Sequence, residues 1–341
     1  MLYKRIVLLG LFGLIVACAE PAGIKTNKAE VEEHNLRGYA QGSTFQIKFR
    51  SDVKHSFRNS FDSIFKSIDA SMSTYLTSSS ISRLNAGEPI WPDTNFIKVL
   101  RHSITVAEQT GGLFDPTIGP LVSFWGFGTS KKSTADTTKV DSVKALVDYR
   151  RLPTIEEDSL VLPVHFSLDF NSIAQGYTVD VLAEFLEQKG VKNFMVEVGG
   201  EVRTQGVNAR GEAWRIGIDK PSEEQQEGFQ IIVSLADKSL ATSGNYRKFW
   251  VDELTGIKYA HTIEPISGWP AKNTLLSATI IANYCMDADA YATSCMVMGL
   301  KKSVAFIENL KGVEGYFVYS DSAGNWQTIH TTGFKEYLPK L

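Results

Sequence analysis

Two segments of this 341-residue sequence carry the residue types and spacing to hold a hard cation and a phosphate. The first is Asp287-Ala288-Asp289-Ala290-Tyr291-Ala292-Thr293. In a helix, Asp289 and Thr293 stand at i and i+4 on one face, about 5–6 Å apart at Cβ. Both donate oxygen. Mg²⁺ fills most of its coordination sphere with water and substrate phosphate, so one carboxylate and one hydroxyl suffice. The alternative is structural: Asp287 or Asp289 caps the helix and Thr293 packs. The second segment is Leu168-Asp169-Phe170-Asn171-Ser172-Ile173-Ala174-Gln175-Gly176-Tyr177. A chain entering a helix here leaves backbone amides free, and such amides attract phosphate. Gly176 permits a tight turn, and Asp169 could accept hydrogen bonds from a ring or sugar. An ordinary strand-to-helix connection with a capping Asp is the competing reading.

Two further segments, Gly112-Leu113-Phe114-Asp115-Pro116-Thr117 and His261-Thr262-Ile263-Glu264-Pro265-Ile266-Ser267-Gly268, mix turn residues with apolar and ionisable groups. A wall against a flat aromatic ligand needs that mixture. His261 is a hydrogen-bonded turn residue on general grounds and a catalyst only in a suitable site. Tyr75, in Met72-Ser73-Thr74-Tyr75, either stacks on a ligand or packs in the core.

The elements positioning these groups follow from periodicity. Thr44 to Phe49 alternates as a strand, while Phe57, Phe61, Ile64, Phe65 and Ile68 fall at helical spacing. Phe96, Val99, Leu100 and Ile104 mark a second helix, stopped by Gly111-Gly112. Val164 to Asn171 alternates and predicts a strand; a helix then runs to Gly190 and a strand over Phe194 to Val198. Trp214 to Ile218, Gln230 to Leu235, Leu276 to Ala282 and Gly315 to Tyr319 are further predicted strands, and Asp287 to Met298 and Lys301 to Asn309 predicted helices. Thr129 to Lys139 reads as a polar surface loop. No period of 20–50 residues recurs. The pattern predicts a single large α+β domain with mixed or antiparallel sheets flanked by helices.

Several common chemistries lack sequence support: the chain has no G-x-G-x-x-G, G-x-x-x-x-G-K-[ST], G-x-S-x-G or H-E-x-x-H, and its six histidines are scattered, although a missing motif does not exclude a constellation assembled in space. A net charge of −3 with no basic stripe gives no indication of nucleic-acid binding. Cys285 and Cys295 read as buried thiols, too far apart on one helix for a disulfide. Lys4 and Arg5 precede the apolar run Ile6 to Val16, which at ~1.5 Å per residue is too short to span a membrane and reads as a signal peptide. It ends in Leu14-Ile15-Val16-Ala17-Cys18, similar to the lipobox at which bacterial lipoproteins receive lipid on cysteine; in an ordinary signal peptide Cys18 would be incidental. Expected boundaries are a signal peptide over 1–17, a tether over 18–36 and a folded domain over 37–341. The expected location is a membrane, by lipid anchor, facing the periplasm.

In order along the chain, Met72–Tyr75, Gly112–Thr117, Trp125-Gly126-Phe127-Gly128, Asp169–Tyr177, Val198-Gly199-Gly200-Glu201, Ala241-Thr242-Ser243-Gly244-Asn245-Tyr246, His261–Gly268 and Ala288–Thr293 resemble the ApbE family, the FAD:protein FMN transferases. The resemblance implies a T-fold-related domain and FAD contacts at Gln41, Tyr75, Leu113, Phe114, Asp115, Asp169, Gln175 and Ile263. It implies Mg²⁺ held by Asp289, Thr293 and the Ser172 main chain. The implied reaction transfers FMN to a Thr or Ser hydroxyl of a target flavoprotein subunit and releases AMP, with His261 the candidate base. Relatives often carry Met where Gln41 stands, Lys or Glu where Gln175 stands, and a carboxylate where Ala292 stands. These departures weaken expected contacts but leave Asp169, Asp289, Thr293 and His261 in place. Two other functions fit the residues: a periplasmic FAD hydrolase giving FMN and AMP, and a flavin-binding carrier without turnover, which needs no Asp289 and Thr293 pair.

Overall fold

The structure, a computed structural model, describes residues 32–51, 57–128, 135–153, 159–220, 229–245, 249–251 and 258–339. The predicted signal peptide, Cys18, most of the tether and the 129–134 portion of the polar loop lie outside the described residues.

Strand β2 (Ser43–Ser51) turns Phe45, Ile47 and Phe49 inward, each at most 2% exposed, and sends Gln46 and Lys48 outward. It pairs antiparallel with β1 (Glu32–Ala40) through the two-residue turn Gln41-Gly42, with φ of 52° and 75°. Positive φ at both positions matches the twist of the strands. Strand β1 thus already pairs in the sheet at Glu32, ahead of residue 37, the expected start of the folded domain. His34 stacks on Phe49 with ring centroids 4.6 Å apart. An edge strand packs on one side only, so Glu32-Glu33-His34-Asn35 reads as polar linker.

The order of strands in the main sheet is β1, β2, β3 (Asn193–Val198), β4 (Glu201–Gln205), β7 (Ser239–Gly244), β10 (Leu275–Ala282), β11 (Glu314–Ser320) and β12 (Trp326–His330). Every pairing is antiparallel. Hairpins β5 (Trp214–Asp219) with β6 (Phe229–Leu235), and β8 (Phe249–Val251) with β9 (Lys258–Ala260), stand apart. On β3, Phe194, Val196 and Val198 join the cluster around Phe45, Ile47 and Phe49 on one face, while Met195 meets Trp214, Ile216, Val233 and Phe334 on the other.

The helices are α1 (Arg58–Met72), α2 (Ser80–Asn85), α3 (Thr94–Gln109), α4 (Gly119–Phe124), α5 (Val140–Lys144), α6 (Ala174–Gln188), α7 (Cys285–Met298) and α8 (Leu300–Glu308). Helices α6, α7 and α8 pack against strands on the first face, α1, α2 and α3 share its apolar clusters, and α4 and α5 pack together with Trp125 and Ile263. Cys285 and Cys295 are buried free thiols, as the sequence predicts. The predicted strand over Val164 to Asn171 does not form. Phe166, Leu168 and Phe170 are buried in alternation. Their backbone joins no ladder: the Asn85 side chain brackets Leu168, accepting from its N–H at 2.7 Å and donating to its carbonyl at 2.9 Å. An amide side chain thus does locally what a partner strand would do.

Candidate active site

Helices α6 and α7 meet amino end to amino end, and neither N-cap residue, Ile173 or Tyr284, caps its own helix through its side chain. Each is capped by a carboxylate from the other. Asp180 of α6 accepts the Cys285 and Met286 amides at 3.0 and 2.9 Å. Asp289 of α7 accepts the Gly176 amide at 3.0 Å. A Cβ at position 176 would lie 2.4 Å from the Cys285 carbonyl oxygen, so only glycine allows this approach. Both carboxylates are buried, at 3% and 6% exposure. Arg203 of β4 bonds Asp180 at 2.8 Å and Glu187 at 3.0 Å, with its guanidinium over the Tyr284 ring.

Burial raises the Asp289 carboxyl to about 7, with the Gly176 amide pulling it down and the Asp180 charge pushing it up. Burial also raises Asp180, against the pull of Arg203 and the two α7 amides.

Thr293, one turn beyond Asp289, is half-buried, with its hydroxyl 3.1 Å from that of Ser243 on β7. The Gly176 N–H, which a continuing helix would give to the Ser172 carbonyl, goes to Asp289 instead. Among the described residues, that amide is the one hydrogen-bond donor to the Asp289 carboxyl, and no cluster of three or more His, Cys, Asp or Glu could hold a metal alone. One carboxylate, one hydroxyl and one carbonyl are few, hard donors, the set that suits Mg²⁺ bound partly by water and phosphate. Gln175 reaches across to Gly199 in the β3–β4 turn, where a Cβ would collide with its amide. The Gly199 amide in turn bonds the Thr44 carbonyl. The Gln41 side chain hydrogen-bonds Asp69, opposing the rise that burial gives that carboxyl.

The segment bearing His261 is tied to the same end of the sheet. Thr262 donates to Asn245 at 2.6 Å, and Asn245 lies two residues beyond Ser243. A chain of contacts therefore runs from the neighbour of His261 through Asn245 and Ser243 to Thr293. The partly exposed His261 ring meets Phe127 edge-on at 6.4 Å. Ile263 packs with Leu121, Trp125 and Val140, and the Trp125 indole N–H donates to the Gly268 carbonyl at 2.8 Å.

The remaining predicted contacts have mixed positions. The Phe114 ring is in the main core at 4% exposure, whereas Leu113 is partly exposed. The Asp115 carboxyl accepts the Thr117 amide and hydroxyl and the Tyr149 amide, so it closes turns as well as lining a cavity of about 530 Å³. Gly112, Lys144, Tyr149, Arg150 and Ile266 also border that cavity. Asp169 accepts the Asn171 amide at 2.8 Å, donates its own N–H to the Pro116 carbonyl, and is raised by burial. Tyr75 is 68% exposed on the loop after α1. Tyr246 lies outside the described residues. Sequence reasoning missed Asp180, Arg203 and the links through Ser243 and Asn245. A carboxylate on the otherwise apolar face of α6 was the available signal for Asp180.

An eight-stranded antiparallel sheet with helices packed on it places the chain in the α+β class. The flavin transferase ApbE from Vibrio cholerae superposes with a TM-score of 0.80 at 31% identity, covering 91% of this chain and all of that one. The ApbE family model matches residues 41–317, and the chain belongs to that family. The FAD:protein FMN transferase of Vibrio cholerae is 35% identical over 338 residues, 96% of each chain. That of Haemophilus influenzae is 33% identical over 310 residues, 86% of this chain and 89% of its own.

Proposed function

We propose that this chain is an exported, lipid-anchored FAD:protein FMN transferase that works with Mg²⁺. Family membership and full-length similarity to FAD:protein FMN transferases support the activity. The observation that carries the metal reading is the buried Asp289 carboxyl, which takes a single backbone donor and stands one helical turn from the Thr293 hydroxyl. When bound, Mg²⁺ supplies positive charge against the diphosphate oxygens of FAD.

The chain's own residues do the rest. Asp289 and Thr293, with the Ser172 carbonyl, would hold the cation, and the amino end of α6 favours phosphate oxygens. The cavity beside Asp115 and Tyr149 has the size and mixed lining for one end of FAD. A Thr hydroxyl of the target flavoprotein forms a new oxygen–phosphorus bond at the FMN phosphate while the bond to the AMP oxygen breaks. His261 accepts the hydroxyl proton, and AMP leaves with the electron pair. The basic start, the apolar run and Cys18 support export and a lipid on Cys18, so the domain faces the periplasm from a membrane.

The test is to incubate the mature protein with FAD, Mg²⁺ and a flavoprotein subunit bearing an exposed Thr, then measure AMP and covalently bound flavin. AMP and labelled protein in equal amounts are expected. Free FMN with no labelled protein would replace transfer by hydrolysis, and no AMP at all would leave a carrier.

A further inference from the structure

We propose that Asp180, with Arg203 behind it, is a positioning residue for the cation site, holding the register of α7 through its first two amides. This inference rests on the metal reading of Asp289 and Thr293.

Cys285, Asp289 and Thr293 follow at i, i+4 and i+8, so they form one stripe along α7. Asp180 bonds the first residue of that stripe and the residue after it, using both carboxyl oxygens. A slip of α7 by one residue would turn the stripe by about 100°, carrying Asp289 away from Gly176 and Thr293 away from Ser243. Among the described residues no other side chain caps this helix, and Tyr284 contributes no side-chain bond to its amino end. A carboxylate there also matches the positive end of the helix dipole.

Asp180 is fixed in turn. Arg203 pairs with it at 2.8 Å, and the Arg203 side chain is 11% exposed, held over Tyr284 and against Glu187. The order of support runs from β4 through Arg203 and Asp180 to the amino end of α7, and from there to the oxygen donors. Groups that orient metal ligands without touching the metal commonly set affinity within about 10–100-fold.

The experiment compares wild type, Asp180→Asn and Asp289→Ala as full mature proteins at about pH 8.5, above the value of about 7 to which burial raises the Asp289 carboxyl. Mg²⁺ is titrated calorimetrically into the FAD-bound protein, and the Mg²⁺ half-saturation of AMP release is measured alongside. Asp180→Asn is expected to weaken Mg²⁺ binding by about 10–100-fold in both readouts, with kcat recovering at saturating Mg²⁺. Asp289→Ala is expected to lose binding outright. Should Asp180→Asn fail to fold, the paired variant Asp180→Asn with Arg203→Gln, which leaves no unmatched arginine, carries the same expectation. A folded variant with lowered melting temperature and wild-type Mg²⁺ affinity overturns the positioning role and leaves the metal reading intact. Wild-type affinity in Asp289→Ala overturns the metal reading itself.

Discussion

Asp180 and Asp289 exchange caps: Asp180, carried on α6, accepts the first two amides of α7, and Asp289, carried on α7, accepts the Gly176 amide near the start of α6. Free helix amides need partners when buried, and a carboxylate is the strongest one available at the positive end of the dipole. Here the demand is met across the helix contact instead of within each helix. The consequence is that α6, which opens onto the candidate phosphate site, and α7, which carries the candidate cation ligands, cannot move independently.

The contact depends on Gly176. An alanine Cβ there would sit 2.4 Å from the Cys285 carbonyl oxygen and 2.8 Å from the Asp289 Cβ. Backbone must shift, because the nearest atom is main chain. Gly176→Ala is expected to destabilise the fold by about 1–3 kcal/mol, as overpacking does, and to lower AMP release further than the folded fraction accounts for. Urea denaturation with an AMP assay checks both. Wild-type stability would mean that the helices separate without cost.

Asp289 makes stability depend on pH. Its carboxyl rises from 3.8 to about 7 on folding, mainly by burial. The folded state therefore holds a proton that the unfolded chain has released, so this group's contribution is full below about pH 4 and is lost as pH rises through about 7. In Asp289→Asn, with no Mg²⁺ present, that loss is expected to vanish, so the variant gains on wild type between about pH 4 and about pH 7. Mg²⁺ binds the ionised form and should stabilise wild type more at the higher pH, leaving the variant unchanged. Urea titrations with EDTA or Mg²⁺ measure all four conditions. A wild-type curve parallel to that of the variant sinks the assignment.

The sheet strands with a clean alternation, such as Thr44 to Phe49, and the long helices with apolar spacing were legible in the sequence. Val164 to Asn171 shows where pattern misleads: burial alternates along it, but the Leu168 backbone at its centre bonds the Asn85 side chain, a partner 83 residues away that no local signal announces. β1 fails in the opposite direction, since an edge strand packs too little to display a period. At the site, Asp289 and Thr293 could be paired by helical spacing alone. Asp180 could not, because its meaning lies in α7, more than a hundred residues onward.

Cys18, as the proposed lipid site, would set membrane attachment. If it carries the lipid, Cys18→Ala leaves the protein with no acyl chains, each of which contributes roughly 0.8 kcal/mol per buried CH₂. The variant is expected in the soluble fraction after cell disruption, with per-molecule AMP release unchanged in detergent-free assay. Retention in washed membranes would place the anchor elsewhere.

Thr262 separates the role of His261 from that of its segment. Its hydroxyl bonds Asn245 at 2.6 Å, two residues from Ser243, which touches Thr293. Thr262→Val keeps the shape and deletes the bond, so the His261 loop loses its tie to the candidate cation ligands. Displacement of a reacting group by about 1 Å can cost about 100-fold, and kcat is expected to fall by up to that amount while FAD affinity holds. In a His261→Asn background the same change should have almost no further effect, because groups acting as one unit do not add. Independent, additive losses would show that Thr262 supports binding of the ring instead, and His261 would lose its standing as the base.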